Sequence, residues 1–336
     1  MSSRETPAQL TELVKKNLAP LYGIRGNFTV ALTRSGVNHI FTVTVARSKR
    51  VLKLSAPDYY TREETEAEAL WMANLRKSTP LILPKVIAGV NGAYVQTILN
   101  PETGTTYNAM MYTYLQGDAD KALHGNDLLK KMIGVGRISA TLHNFSARAT
   151  ERISRITWDF NTLLGDAPFW GDWRRFPGMK PDQRTRIESA IVLIRKRLAA
   201  YGRGFDRFGL VHTDLQFGNI VIRGTSLQVV DFDDCGYGWF LYDLGGSLCG
   251  FDEELDTLAD AWLTGYRDVR NLSPADYAEI PTFILMRRIV RLAAVASGAP
   301  SGNSAHFVPE RFLSMTADLC ADFLAANAGI VTTEVS

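Results

Sequence analysis

Alternation of apolar and β-branched residues is confined to one end of this 336-residue chain, and that asymmetry narrows the folds open to it. Residues 27–54 read NFTVALTRSGVNHIFTVTVARSKRVLKL. FTVAL, IFTVTVA and RVLKL carry the two-residue period of strands, and RSGVNH and RSK between them are turn-like, so an antiparallel meander is expected. TREETEAEALWMANLRKS, residues 61–78, comes next. Thr61 with Glu64 three positions on has the form of a capping box, and Leu70, Trp71 and Leu75 supply an apolar stripe, so a helix is expected. Two more strands are expected near 93–99 and 108–114, with PETGTT turning between them, before LQGD breaks the pattern. Five strands and one main helix make a small α+β lobe over residues 1–117. From 118 to 336 the period becomes helical, at 126–146, 182–200, 254–267, 274–297 and 307–326, with a single strand pair expected in that half. The expected fold class is α+β, a small antiparallel-sheet lobe and a larger, mostly helical one with a cleft between them.

Bulk properties exclude several functions. Hydrophobic residues make up 46% of the chain and charged ones 21%, which suits a packed globule and not a disordered tail. A net charge of +2 argues against bulk nucleic-acid binding, which needs a strong basic excess. Cys235, Cys249 and Cys320 have no metal-ligand spacing and make no disulfide framework, as expected of reduced thiols in a cytoplasmic protein. The start, MSSRETPAQLTELVKKN, reads as a short amphipathic helix without the apolar core of a signal peptide. No apolar run approaches the roughly 18 residues of a membrane span, so no membrane association is expected. A monomer or homodimer is expected.

The chemistry concentrates in residues 212–238, HTDLQFGNIVIRGTSLQVVDFDDCGYG. Asp214 lies five residues before Asn219, which is followed by IVI, a glycine-containing turn, LQVV and Asp231. If the two apolar runs pair as a hairpin, Asn219 and Asp231 meet at its open end, with Asp214 on the loop leading in. An amide oxygen and a carboxylate are hard oxygen ligands suited to Mg²⁺. A further carboxylate held off the metal can take the proton of a hydroxyl, and phosphoryl transfer needs little else beyond positioning and charge neutralisation. One Asp or Asn at a strand end is ordinary turn chemistry. Here both flanks of the hairpin carry such residues, and His212 adds a polar group beside apolar Leu210 and Val211.

HTDLQFGN followed by VVDFDD resembles the paired motifs of the aminoglycoside phosphotransferase and choline kinase superfamily, relatives of the protein kinases, and the extended stretch resembles a bacterial branch known as the phosphotransferase enzyme family. The resemblance implies a protein-kinase-like two-lobe fold with ATP (GTP possible) and Mg²⁺ as cofactors. It makes Asp214 the catalytic base and Asn219, Asp231 and Asp233 the metal-side residues. Thr213 stands where protein kinases have Arg, and Asp233 where they have Gly. The missing Arg argues against control by a phosphorylated activation loop.

The resemblance also directs attention to the first lobe. Lys53, in VLKL, matches the phosphate-holding lysine, and Glu68 best matches its helix partner, with Glu64 one turn earlier as the alternative. Alternation turns Lys53 away from Leu52 and Leu54. The loop RSGVNH offers Ser35, Gly36 and Asn38 to the nucleotide phosphates, though its single glycine is not a G-x-G-x-x-G pattern. AMMYTYLQG matches the hinge, about 112–117, where adenine would meet the backbone near Thr113 and Leu115 against Met110 or Met111. His212, Asp234 and Asp243 are implied to be structural support, as is His143.

The acceptor is less constrained. Three readings stay open: a kinase for a small hydroxylated metabolite such as an amino alcohol, hydroxy amino acid or sugar; an aminoglycoside or other antibiotic phosphotransferase; and a bacterial protein Ser/Thr kinase or inactive nucleotide-binding module of the same fold. WDFNTLLGDAPFWGDWRRF, 158–176, could wall an acceptor pocket or pack as an aromatic subcore. FDEELDTLAD, 251–260, is acidic and could attract a cationic amine, or equally be the N-terminal turn of a helix, where acids are favoured; MRRIVRL, 286–292, is basic and would not suit a polycationic aminoglycoside if it lined the pocket.

Overall fold

The computed structural model describes residues 5–55, 59–119, 122–298 and 308–328. Residues 1–4 and 307, parts of the expected first and last helices, lie outside the described residues. The chain divides into two compact units. The first is Met1–Gly117 together with Glu151–Arg155 and Gln228–Asp233; the second is Asp118–Thr150, Ile156–Leu227 and Asp234–Ser336. The acidic stretch is thereby divided, Asp231 and Asp233 belonging to the first unit and Asp214, Asn219 and Asp234 to the second.

The first unit opens with α1 (Pro7–Tyr22), started by a reciprocal Thr6–Gln9 capping box and closed by Gly23 in the left-handed region, φ 64°. The meander follows as β1 (Phe28–Ser35), β2 (Asn38–Val45) and β3 (Ser48–Ser55). Then come α2 (Arg62–Ser78), β4 (Val86–Ile87), β5 (Val95–Leu99) and β6 (Thr106–Thr113). The sheet runs β1-β2-β3-β6-β4, and β5 also pairs with β6. All its pairings are antiparallel. It has six strands and not five. The two residues of β4 are too short for alternation to show.

Leu10, Leu13, Val14 and Leu18 of α1 pack with Phe41, Val43, Leu52 and Met111 of the sheet in one buried cluster. The Thr61–Glu64 capping box forms as the sequence suggests. The buried stripe of α2 differs: Leu70 is 46% exposed, while Ala67, Glu68, Trp71, Met72 and Leu75 face inward. A carboxylate thus occupies a core position.

The second unit contains α3 (Gly125–Ala147), α4 (Phe160–Leu164), α5 (Pro181–Tyr201), β7 (Phe208–Val211), β8 (Ile220–Arg223), β9 (Ser226–Val229, its last two residues in the first unit) and β10 (Gly236–Trp239). It continues with α6 (Tyr242–Leu248), α7 (Leu255–Arg267), α8 (Pro274–Ala296) and α9 (Pro309–Ala326). β8 and β9 form the expected hairpin. A second pair, β7 with β10, corrects the expectation of one, with Val211 opposite Gly236 and Phe208 opposite Trp239. GYGW carries two glycines and no β-branched residue, so the strand preference of its Tyr and Trp is offset by the glycines between them. Residues 235–248 are buried without interruption, which puts β10 and α6 at the heart of this unit. No helix among the described residues is long and apolar enough to cross a membrane.

Candidate active site

In the first unit the polar centre is built on β3. Leu52, Lys53 and Leu54 are all buried, so the lysine points into protein and not into solvent. Its Nζ lies 2.9 and 2.7 Å from the two carboxylate oxygens of Glu68 and 2.6 Å from Asp233 Oδ1. Burial alone would discharge this ammonium; the charges of Asp233 and Glu68 outweigh it and hold the Lys53 pKa well above its ordinary value. The Tyr112 hydroxyl donates to Glu68 Oε1 at 3.1 Å, and the Asn38 amide donates to Asp233 Oδ2. Glu64 is spent on the α2 cap, so Glu68 is the partner of Lys53. Asp233 anchors this lysine.

Asp231 stands apart from that cluster. Its backbone is left-handed, φ 66°, an unusual conformation for a residue with a side chain. Its carboxylate is 40% exposed and lies 3.9 Å from Arg34. Between the two acids Phe232 is buried with its ring edge against Trp71, centroids 5.5 Å apart. Arg155, which no sequence pattern marks, donates to the carbonyls of Glu64 and Asp233 and lies 4.6 Å from the centre of the Tyr60 ring.

The other expected nucleotide-side residues are spread along the same sheet. Ser35 Oγ is 2.9 Å from His39 Nδ1, closing the β1–β2 turn, and Gly36 sits at its open tip. Met111 is fully buried beside Leu52. Thr113 donates its N–H to the Lys85 carbonyl at 3.0 Å and accepts from the Lys85 N–H at 2.9 Å, so its own N–H is committed within the unit. Leu115, two residues on, is half-buried beyond the end of β6.

In the second unit β7 delivers the chain into the loop at 212–219. Asp243, fully buried on α6, holds that loop by its backbone: Oδ1 accepts from the Thr213 N–H at 2.6 Å and Oδ2 from the His212 N–H at 3.2 Å. Oδ2 is also 3.0 Å from His143 Nε2, and His143 Nδ1 is 2.9 Å from the Tyr266 hydroxyl. An ionised carboxylate only accepts, so Nε2 carries the proton and Nδ1 accepts from Tyr266. Burial pushes the His143 pKa below its ordinary value and keeps this tautomer neutral. Thr213 is left-handed, φ 68°, and its hydroxyl lies 2.9 Å from the Asp234 carbonyl, which also accepts from Trp158 Nε1 at 2.7 Å. His212 is fully buried.

The loop so held presents Asp214, whose side chain is 18% exposed. Oδ1 accepts from Arg287 Nη2 at 2.6 Å; Oδ2 accepts from Gln216 Nε2 at 2.8 Å and Asn219 Nδ2 at 2.9 Å. Arg287 reaches it because α6 and α8 approach closely at a glycine. A Cβ on Gly245 would stand 2.5 Å from the Phe283 carbonyl oxygen and 2.9 Å from Arg287 Cβ. The sequence shows Arg287 only as part of a basic run. The available signal is the spacing of Arg287 and Arg291, four apart and so on one face of α8.

The side-chain oxygens of Asn219, in the second unit, and of Asp231, in the first, are each of the hard type that suits a divalent cation. Asn219 commits its nitrogen to Asp214, which turns its oxygen, a hard ligand, the other way. Asp231 offers an exposed carboxylate. No three His, Cys, Asp or Glu side chains among the described residues form a metal cluster.

The stretches considered for the acceptor resolve differently. Trp158, Phe169 and Trp170 pack on one another with centroids 5.1–5.9 Å apart. Asp159 and Asp172 cap the short helical turns that follow them. In the acidic segment Asp252 pairs with Arg288 at 2.7 Å and Glu253 with Arg311 at 2.6 Å, so neither is left to attract an amine.

Three relatives place this architecture. A microcompartment-associated aminopropanol kinase of known structure superposes with a TM-score of 0.81 at 28% identity, covering 94% of this chain and 98% of that one. An amicoumacin kinase of Bacillus subtilis is 21% identical over 296 residues, 83% of each chain. The structure of an amicoumacin kinase in complex with AMP-PNP, Ca²⁺ and Ami superposes with a TM-score of 0.72 at 20% identity, covering 91% of this chain and 93% of that one. Residues 31–280 match the model of the phosphotransferase enzyme family, and the chain belongs to that family.

Proposed function

We propose that the chain is an ATP-dependent kinase that moves the γ-phosphoryl group to a hydroxyl of a small molecule, with Asp214 as the base. The observation that carries this reading is the fixing of Asp214: three side-chain donors fix a partly exposed carboxylate on a loop whose backbone Asp243 holds at two successive N–H groups. Such a carboxylate orients an alcohol and takes its proton as the oxygen attacks phosphorus. The O–H bond breaks, the new P–O bond forms, the bond to the β-phosphate oxygen breaks, and ADP leaves with the negative charge. Lys53, kept charged and aimed by Glu68 and Asp233, is the phosphate-binding cation. Asn219 and Asp231 would hold Mg²⁺, which when bound neutralises phosphate charge. The kinship with an aminopropanol kinase puts amino alcohols in the first round of candidate acceptors.

The test is an ATP-consumption screen over amino alcohols, hydroxy acids, sugars and aminoglycosides. Asp214→Asn is expected to lower turnover by roughly 10²- to 10⁴-fold while Mg-ATP still binds. Asp231→Ala is expected to weaken Mg-nucleotide binding instead. Wild-type turnover in Asp214→Asn would remove Asp214 from the role of base.

A further inference from the structure

We infer that Arg34 binds the phosphate chain of the nucleotide beside Lys53, and that Asp231 is its partner only until the metal takes that carboxylate. The inference rests on the reading of Lys53 as the phosphate-binding cation and of Asp231 as a metal ligand, and it adds a residue that neither reading contains. All four groups it involves, Arg34, Lys53, Asp231 and Asp233, belong to the first unit.

Two observations lead there. First, the strand pairing brings Arg34 to the face that carries Lys53. β1 pairs regularly with β2 from Phe28 to Leu32, which stands opposite Phe41; the next pair is Arg34 with Ile40, so Thr33 is an extra residue in β1. Its hydroxyl donates to the Ile40 carbonyl at 2.9 Å and closes the bulge. Without the extra residue Thr33 would stand opposite Ile40, and Arg34 would share the face of Leu32, Phe41 and Leu52, which packs on α1. A bulge re-aims a side chain in this way. Ile40 is paired in turn with Lys53. Arg34, Ile40 and Lys53 thus form one row on one face, and two strand spacings, about 10 Å, separate the backbones of the two cations. A phosphate chain carries its charge along its length, so two cations set apart along a row can both meet it.

Second, the ion pair that Arg34 makes is one that exchanges easily. Its Nη1 lies 3.9 Å from Asp231 Oδ2, beyond hydrogen-bond distance, and the two side chains are 56% and 40% exposed. Exposed pairs of this kind contribute little to stability. Lys53 is the opposite case, buried and held by Glu68 at 2.7 Å and Asp233 at 2.6 Å. The acids on either side of Phe232 therefore meet different cations, Asp233 a fixed one and Asp231 a movable one. A divalent cation on Asp231 would displace the guanidinium by charge. The phosphates that arrive with it offer the planar nitrogen edge of Arg34 a bidentate partner. The same carboxylate thus parks the arginine before the nucleotide binds and releases it afterwards.

The experiment is a set of binding titrations with Mg-ATP and with adenosine, carried to millimolar ligand, on the wild type, Arg34→Met and Arg34→Lys, with thermal melts showing each protein folded. Arg34→Met is expected to weaken Mg-ATP by roughly 10- to 100-fold, the worth of a hydrogen bond or two to a charged group, and to leave adenosine, which has no phosphate, within about twofold. Arg34→Lys keeps the charge without the planar edge and should recover part of the loss. Arg34→Met is then made in Asp231→Asn, where it should cost Mg-ATP binding at least as much, because Arg34 no longer has to leave Asp231 to reach phosphate. Unchanged Mg-ATP affinity in Arg34→Met overturns the inference and leaves the kinase reading intact. So does an equal loss of ATP and adenosine, the mark of a merely structural role. So does a loss that disappears in Asp231→Asn, the mark of an arginine that only steadies a metal ligand. A wild type that binds no Mg-ATP overturns the inference and the kinase reading together.

Discussion

Removing Lys53 tests whether the polar centre of the first unit is one interaction or a set of separate contacts. Lys53→Met keeps the length of the side chain and deletes the charge. Glu68 and Asp233, both buried, then lose the ammonium that lies 2.6–2.9 Å away. Breaking a buried pair from one side typically costs about 3–5 kcal/mol, because the abandoned charge stays in a poor solvent for it. At roughly 1.4 °C per kcal/mol for a chain of this length, the melting temperature should fall by roughly 4–7 °C. Glu68→Gln is milder: one oxygen remains to accept from Tyr112, and Lys53 keeps Asp233. In the double variant the methionine faces a neutral amide and a single carboxylate, which retains its bond from Asn38. The double variant should therefore be more stable than the sum of the two single losses by about 1–3 kcal/mol, the usual scale of coupling between contacting groups. The assay is a set of thermal melts on the four proteins, with the KM for ATP measured in parallel and expected to rise in both variants that lack Lys53. Additive losses within about 0.5 kcal/mol would refute the argument, since that is the behaviour of groups that do not interact.

Two further outcomes test the second unit. Because burial lowers the His143 pKa in the folded protein, the unfolded chain binds the extra proton first as pH falls. The His143 contribution is complete above the ordinary value near 6.5 and is lost as pH drops below it, by at most about 1.4 kcal/mol per pH unit. Melts between about pH 5 and 7.5 should show that extra acid sensitivity in the wild type and not in His143→Gln; identical slopes would remove His143 as its source. Gly245→Ala places a methyl group 2.5 Å from the Phe283 carbonyl oxygen and 2.9 Å from Arg287 Cβ, forcing α6 and α8 apart at about 1–3 kcal/mol. Its kcat should fall more than its affinity for Mg-ATP; an unchanged kcat would show that Arg287 need not be held where it is.

Local signals carried the fold a long way. Alternation located the three strands of the meander, and the Thr61–Glu64 pair marked the start of α2. What failed did so because tertiary packing overrides local pattern. Leu70 looks like a core residue and is exposed, whereas Glu68 looks like a surface acid and is buried, since Lys53 and Tyr112 give its carboxylate partners that the core otherwise lacks. β10 was invisible because its pairing with β7 depends on a neighbour far away in sequence. The same holds for the site. Asp214 and Asn219 stand out by spacing. Arg287 does not, because its importance comes from a close helix approach that a glycine on another element permits.

The two strained residues show how the motif is held. Thr213 and Asp231 are both left-handed, where a side chain costs about 1–2 kcal/mol that glycine would avoid. Each keeps a side chain glycine cannot supply. The Thr213 hydroxyl holds the Asp234 carbonyl, and Asp231 keeps an exposed carboxylate. At Thr213 the cost is offset close by, because Asp243 accepts from its N–H and from that of His212, and bonds to an ionised acceptor are worth about 1.5–3 kcal/mol each. Asp243 is itself held in its fully buried place by neutral His143, which donates to it, with Tyr266 behind fixing the ring. The chain from Tyr266 through His143 and Asp243 to Thr213 is thus one support, and its far end is the backbone that carries Asp214.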